Sequence, residues 1–241
     1  MSGVSAPAAT AVKRLGAIVP SSNTAVEHDL ARRAGPSLDY HVARMTLEAT
    51  TAEAERRMLA EHAPRAARDL GTARVDVLAF VCTSAGALLG DAGERALQED
   101  LARRSGAPVV STNQAVAWDL RRRGARRVAV VTPYVEELTA AIAASLRERG
   151  FAVASSVGMG IDENFAIAEI EPEEIAAFAA ASVAPGSCDA VLVSCTNLRA
   201  ADAAEEIERR LGVPVVTSNL ATLAAVRALL ELPDEPGGDV P

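Results

Sequence analysis

Two short stretches carry the residues best able to do chemistry. A Cys-Thr-Ser sequence begins at Cys82, and a Cys-Thr-Asn sequence begins at Cys195, 113 positions later. Each follows an Asp and an apolar run, which start at Asp76 and Asp189. A thiolate is a nucleophile, and the neighbouring hydroxyls and amides can hold an anion. The repeated turn therefore predicts thiol chemistry on a small anion.

The elements around these turns alternate between strand and helix. Apolar runs without polar alternation predict strands buried on both faces of a parallel sheet. We predict strands at 15–19, 40–45, 76–82, 107–111, 128–131 and 188–195, and helices ending near 33 and spanning about 51–70, 92–104, 113–123 and 136–149. The fold class is therefore α/β with parallel sheets.

The chain also repeats itself. Pro133 follows Pro20 by 113 positions, the same offset as the cysteines, and the stretch 214–219 echoes 108–113 at an offset of 106. A tandem duplication of one α/β unit explains these offsets. We predict two similar domains related by a pseudo-twofold axis, at 13–125 and 126–231, with flexible segments at 1–12 and 232–241.

The duplicated turns should meet. Ligands bind at the carboxyl edge of parallel sheets, where strands lead into helix N-termini, so the site is expected between the two halves. We expect both cysteines to open helices whose dipoles lower the thiol pKa from about 8.5. A single buried cysteine after a strand is usually inert, but the duplication favours a chemical role for both.

Composition excludes other classes of function. The net charge is −8 and no basic, aromatic-interleaved block occurs, which argues against a nucleic-acid partner. No apolar run is long enough for a membrane span, the first residues do not resemble a signal peptide, and three cysteines do not make a disulfide framework, so we expect a cytoplasmic protein. His28, His41 and His62 lack metal-ligand spacing, and Cys188 is interpreted as a core residue.

Three motifs together resemble the aspartate/glutamate racemase superfamily, and within it the maleate cis–trans isomerase branch. They are Val19-Pro-Ser-Ser-Asn-Thr24, Val81-Cys-Thr-Ser84 and Ser194-Cys-Thr-Asn197, and the resemblance covers roughly 14–230. It implies two α/β domains, no cofactor and no metal, and a small dicarboxylate between two cysteines. It makes Cys82 the nucleophile and Cys195 the acid/base partner. The expected substrate contacts are Asn23, Thr83, Ser84, Tyr134, Asn164, Thr196 and Asn197.

The resemblance leaves alternatives open. Arylmalonate decarboxylases of the superfamily have glycine at the first cysteine position, so the presence of both cysteines disfavours decarboxylation. A two-cysteine racemase acting on an acidic amino acid or a hydantoin fits the same residues, as does a protein that binds a small acid without turnover. The expected reaction is isomerisation of maleate to fumarate, in a homodimer or homotetramer.

Overall fold

The structure is a computed structural model that describes residues 12–47 and 49–233. It contains two four-stranded sheets in which every pairing is parallel. The first sheet has the order β2-β1-β3-β4, and the second has the order β6-β5-β7-β8. The strands are β1 Lys13–Pro20, β2 Leu38–Met45, β3 Val77–Phe80, β4 Val109–Ser111, β5 Arg127–Tyr134, β6 Ala152–Ile161, β7 Ala190–Val193 and β8 Val215–Thr217. The predicted α/β fold with a repeated parallel sheet is confirmed.

Helices connect the strands and cover both sheets. They are α1 Ala25–Arg33, α2 Ala52–Glu61, α3 Ala63–Thr72, α4 Thr83–Leu88, α5 Gly90–Ser105, α6 Thr112–Arg122, α7 Glu136–Glu148, α8 Asn164–Ala168, α9 Pro172–Ser182, α10 Ala200–Leu211 and α11 Ser218–Leu229. No helix in the described part of the chain is long and apolar enough to cross a membrane.

The central strands explain the continuous apolar runs of the sequence. β3 and β7 are buried at every position, and β1 and β5 are buried along most of their length. A strand covered by helices on both faces needs apolar side chains at successive positions. The edge strands β2 and β6 are only partly buried, and polar residues are accordingly frequent in both.

The Asp that begins each repeated motif fixes the start of a central strand. The Oδ2 atom of Asp76 accepts a hydrogen bond from the backbone N–H of Arg14 at 2.7 Å. The Oδ1 atom of Asp189 accepts one from the N–H of Arg127 at 2.9 Å. The two bonds are equivalent in the two halves, so the repeated Asp has a structural role at the sheet edge opposite the cysteines.

Three parts of the secondary structure differ from the sequence prediction. The helix predicted at 51–70 is two helices, α2 and α3, because Pro64 lies in the first turn of α3 and cannot donate the N–H that a continuous helix needs. Strand β6 and helices α8 and α9 were not predicted. Cys188 precedes β7, which begins at Ala190, and packs partly buried against the second core.

Helices α6 and α11 are exchanged between the two halves. Val116 and Leu120 of α6 are buried in the core of the second sheet. Leu223 and Val226 of α11 are buried in the core of the first sheet. The two helices also pack against each other. The strands of the first sheet lie within residues 13–111 and those of the second within 127–217, but each core is completed by a helix from the other half.

The C-terminal end of the described chain is anchored to the first half. Arg227 on α11 donates a hydrogen bond to the carbonyl of Ala34 at 2.7 Å and another to the carbonyl of Pro233 at 3.0 Å. Leu232, which the sequence prediction assigned to a flexible tail, is buried in the first core. The rest of the two predicted flexible segments, 1–11 and 234–241, lies outside the described residues.

Candidate active site

The Cys82 turn has the predicted form. Cys82 follows β3 with extended backbone angles, φ −152° and ψ 108°, and is the N-cap of α4. Its side chain is buried. The Cys-Thr-Ser sequence therefore opens a helix, although α4 is only 6 residues long.

The Cys195 turn differs from the prediction. Cys195 follows β7, but the next helix, α10, begins only at Ala200. The expectation that Cys195 caps a helix is wrong, because the chain makes an irregular turn here. The backbone N–H of Asn197 donates to the Cys195 sulfur at 3.2 Å, so local N–H groups contact the thiol without a helix.

The two turns are in contact, as the sequence predicts. The hydroxyl of Thr196 donates to the carbonyl of Val81, the residue before Cys82, at 3.4 Å. Asn23, in the turn after β1, donates to the Thr196 hydroxyl at 3.1 Å. The Thr83 and Ser218 hydroxyls lie 3.0 Å apart. These bonds bring the carboxyl edges of both sheets to one buried site.

Tyr134 and Asn164 also lie at this site. Tyr134 ends β5, is buried, and donates a hydrogen bond from its phenol to the Cys195 sulfur. The Asn164 side-chain amide donates to the Ser22 hydroxyl at 2.8 Å, and the Asn164 backbone carbonyl accepts from the Asn197 side chain at 2.6 Å. Asn164 therefore joins the other polar residues, although it lies in a segment with no counterpart in the first half.

Asn197 has more bonds to protein than the sequence suggests. Its Oδ1 atom accepts from the backbone N–H groups of Thr24 and Ala25, at 2.8 Å and 3.3 Å, and so caps the N-terminus of α1. Its Nδ2 atom donates to the backbone carbonyl of Asn164 at 2.6 Å. Asn197 therefore holds the turns of both halves together.

Burial dominates the electrostatics of the thiols. It raises the pKa of Cys82 far above the ordinary value, and the nearby carboxyl of Glu55 raises it further. Burial also raises the pKa of Cys195 to about 11, against the opposing hydrogen bonds from Tyr134 and from the N–H groups of Asn197 and Leu198. The expectation of a lowered thiol pKa is wrong, because desolvation outweighs the short helix and the turn N–H groups.

Each turn is held by a buried asparagine that the sequence analysis did not assign to the site. Asn113 donates to the carbonyl of Thr83, and Asn219 donates to the carbonyl of Thr196, both at 3.0 Å. The repeated Asn at 113 and 219 was visible in the sequence and could have indicated this role. Gly86 permits the first contact, because a Cβ there would lie 2.6 Å from the Asn113 amide nitrogen.

Glu55 is the other site residue that the sequence analysis missed. It lies on α2, is fully buried, and accepts a short hydrogen bond from the Ser84 hydroxyl. Positions 52, 55 and 58 form the buried stripe of α2, so a Glu at the middle position was a signal of a buried carboxyl. The three histidines are not part of the site.

The fold and site together define a class of protein: a two-sheet α/β enzyme with one cysteine turn from each half. A family model for arylmalonate decarboxylase matches residues 15–239. The chain is 33% identical to a maleate isomerase from Pseudomonas putida, over 95% of this chain and 96% of that protein. The chain therefore belongs to the arylmalonate decarboxylase family, in its maleate isomerase branch.

Solved structures agree with this assignment. A cysteine-to-alanine variant of a Pseudomonas putida maleate isomerase with maleate has a TM-score of 0.89 and 30% identity, covering 94% of this chain and 95% of that chain. A cysteine-to-serine mutant of Nocardia farcinica maleate cis–trans isomerase, with a covalently bound succinylcysteine intermediate, has a TM-score of 0.87 and 27% identity, covering 94% of this chain and 96% of that chain.

Proposed function

We propose that this protein converts maleate to fumarate without a cofactor, through a covalent adduct of a cysteine. One observation carries the proposal: two turns are in direct contact, and each has a buried cysteine, Cys82 in one and Cys195 in the other. The succinylcysteine in the Nocardia farcinica relative supports an adduct of this kind. The likeness to maleate isomerases favours isomerisation over the racemase alternative.

The reaction needs temporary loss of the double bond. As the Cys82 thiol gives up its proton to a base of the site, its sulfur forms a bond to one alkene carbon, and the electron pair of the π bond moves to the other carbon and its carboxylate. Cys195 donates its proton to that carbon, which gives a succinyl adduct with a rotatable C–C bond. After rotation Cys195 takes the proton back, the C–S bond breaks, and fumarate leaves with the double bond restored.

The surroundings of Cys195 suit the proton-donor role. After it gives up its proton, its sulfur carries a negative charge that the Tyr134 phenol and the N–H groups of Asn197 and Leu198 can stabilise. Hydrogen bonds to a charged group are worth about 1.5–3 kcal/mol each. This arrangement lowers the energy of the state in which the proton resides on carbon.

The polar residues of the site are proposed to bind the two carboxylates. Asn23 bonds to Thr196, and Asn164 bonds to Ser22. A carboxylate that enters must exchange these bonds for its own, so binding requires local rearrangement of the two turns. Thr83, Ser84, Tyr134 and Asn197 complete the proposed set of contacts.

The direct test is to incubate the purified protein with maleate at neutral pH, without added metal, and to follow fumarate by proton NMR. We expect turnover in the wild type and none in Cys82→Ala. Aspartate, glutamate and a hydantoin are incubated in deuterium oxide in parallel, because a racemase exchanges the Cα hydrogen. If one of these compounds exchanges its Cα hydrogen and maleate gives no fumarate, the protein is a racemase and not an isomerase.

We also infer that the protein is cytoplasmic and forms a homodimer or homotetramer. All three cysteines are free, as expected in a reducing compartment. Trp118 on α6 and Leu229 on α11 are exposed on two helices that pack together, and they offer an apolar contact for a second copy. Light scattering of the purified protein measures the assembly, and a monomer at all concentrations would contradict it.

A further inference from the structure

Glu55 is a buried acid that forms no ion pair within the described part of the chain. Its side chain is 0% exposed, and its Oε1 atom accepts a hydrogen bond from the Ser84 hydroxyl. Its Oε2 atom is buried and has no hydrogen-bond partner among the described residues. By contrast, Glu94 is also 0% exposed but is paired with Arg149. A buried carboxyl without such a pair is costly to stability, so packing alone does not account for Glu55.

Ser84 connects Glu55 to the nucleophile. Its hydroxyl donates to Glu55 and lies 3.9 Å from the Cys82 sulfur, within hydrogen-bond reach for sulfur. Ser84 is itself buried, in the first turn of α4. Helix α2 packs against α4, which fixes the carboxyl, the hydroxyl and the thiol in one line of contacts.

The charges around this line disfavour a second anion. Burial, and secondarily the charge of Glu137, raise the pKa of Glu55 to about 7, while its hydrogen bond from Ser84 opposes the rise. The ionised carboxyl in turn raises the pKa of Cys82 and of Cys195. Helix α3 packs against α2 as well, but its charged residues Arg65, Arg68 and Asp69 are exposed.

We propose that Glu55 is the proton acceptor that activates Cys82, acting through the Ser84 hydroxyl. The proposal rests on the proposed thiol addition to maleate. As the C–S bond forms, the thiol proton moves to the Ser84 oxygen, and the Ser84 proton moves to the Glu55 carboxylate. The negative charge passes from Glu55 to the substrate adduct, and no free Cys82 thiolate is required. Elimination returns the proton by the same path.

The first test is alkylation of Cys82 by iodoacetamide, followed by peptide mass spectrometry, in wild type and Glu55→Gln. Glutamine keeps the shape and can accept the Ser84 hydrogen bond, but it cannot take a proton. At about pH 8, a relay predicts at least tenfold slower labelling in the variant, because general-base assistance is lost. If Glu55 acts only by charge repulsion, its removal lowers the Cys82 pKa and labelling becomes faster, which would overturn the proposal.

The second test is the pH dependence of kcat for maleate. In the wild type, kcat rises with pH as the carboxyl ionises, at or above its pKa of about 7, because a bound dicarboxylate adds negative charge. We expect Glu55→Gln to lower kcat by about 10²–10⁴ on the basic side and to remove this rise, with little change in KM. A loss of kcat with an unchanged pH profile would show a structural role and overturn the relay.

Two further variants make the test specific. Ser84→Ala interrupts the relay, and the double variant with Glu55→Gln should lose no more activity than either single variant. Full additivity of the two losses contradicts the proposal. Glu53→Gln makes the same charge change at an exposed position of α2 and should leave labelling and kcat unchanged.

The two proposals can fail separately. If the wild type does not isomerise maleate but Glu55→Gln slows the labelling of Cys82, the relay is correct and the assigned reaction is wrong. If the wild type isomerises maleate and Glu55→Gln labels Cys82 as fast or faster, the relay alone is wrong. Circular dichroism of each variant confirms that the compared proteins are folded.

Discussion

The Cys82 and Cys195 turns begin with the same two residues, yet different groups surround the two thiols. Cys195 is contacted by three hydrogen-bond donors, the phenol of Tyr134 and two backbone N–H groups. Cys82 lies near the acid Glu55, joined to it through a hydroxyl. The two halves thus each supply one thiol to the site, and the neighbouring elements give the two thiols different surroundings.

The largest effect is expected from removing either thiol. Cys82→Ala and Cys195→Ala should each lower kcat by at least about a thousandfold, because groups that act as a unit fail together. Cys82→Ser should still bind succinate in calorimetry while losing turnover. Cys188→Ala is the matched control and should retain full activity. An active Cys195→Ala variant would show that the chemistry belongs to the first half alone.

The second prediction concerns stability and pH. In the unfolded chain Glu55 titrates at its ordinary value of 4.5, but burial raises its pKa in the folded protein to about 7. The unfolded state therefore loses its proton first, and stability falls as pH rises between these values. Ionisation of Glu55 should lower the free energy of unfolding of the wild type by about 3 kcal/mol across that range. Glu55→Gln should not show this loss.

Urea unfolding of both proteins at a series of pH values measures this difference. Comparison with Glu55→Gln cancels the contributions of Asp29 and Glu94, whose pKa values burial also raises. Equal pH dependence of stability in the wild type and Glu55→Gln would contradict the assigned pKa of Glu55. The Cys82 turn would then not differ from the Cys195 turn by a nearby acid of raised pKa.

The third prediction tests the donors around Cys195. Tyr134→Phe removes a hydrogen bond to the sulfur, so the pKa of Cys195, about 11, should rise further. We expect about tenfold slower alkylation of Cys195 and a loss of kcat of about 10- to 100-fold, with labelling of Cys82 unchanged. Tyr40→Phe, on β2, is the control. Equal effects on both thiols would mean that the two turns do not differ in this way.

The smallest effects are expected at the two asparagines. Asn219 bonds both the Thr196 carbonyl and the Asp29 carboxyl, and Asn113 bonds the Thr83 carbonyl. Asn219→Ala should therefore cost about 2 kcal/mol and Asn113→Ala about 1 kcal/mol, since each leaves buried groups unpaired. Urea denaturation measures both. The reverse order would show that the first turn depends more on its asparagine than the second.

The sequence could indicate residues that immediately follow strands. Asn23, Cys82, Tyr134 and Cys195 all lie at strand ends or just beyond, and parallel strands place such positions on one edge. Glu55 lies on a helix, and which turn it faces depends on how α2 packs on α4. That packing is a tertiary property. The apolar stripe of α2 could therefore indicate that Glu55 is buried, but not that it contacts Ser84.

Other differences have separate physical causes. Strand β6 has Ser155, Ser156 and two glycines and no apolar run, because it is a partly exposed edge strand positioned by its pairing with β5. The expected fall in thiol pKa was wrong because the dipole argument omitted desolvation, which depends on how completely the two halves cover each thiol. Both strand pairing and desolvation depend on residues that are far apart in the sequence.

The exchange of α6 and α11 has a consequence for synthesis on the ribosome. One face of the first sheet, which includes Leu15 and Val19, is completed by Leu223 and Val226 of α11. The first half therefore emerges with an open apolar face that stays uncovered until residues 218–229 leave the exit tunnel. The first half can therefore finish folding only once α11 has emerged, and until then chaperones that bind exposed apolar surface can bind this face.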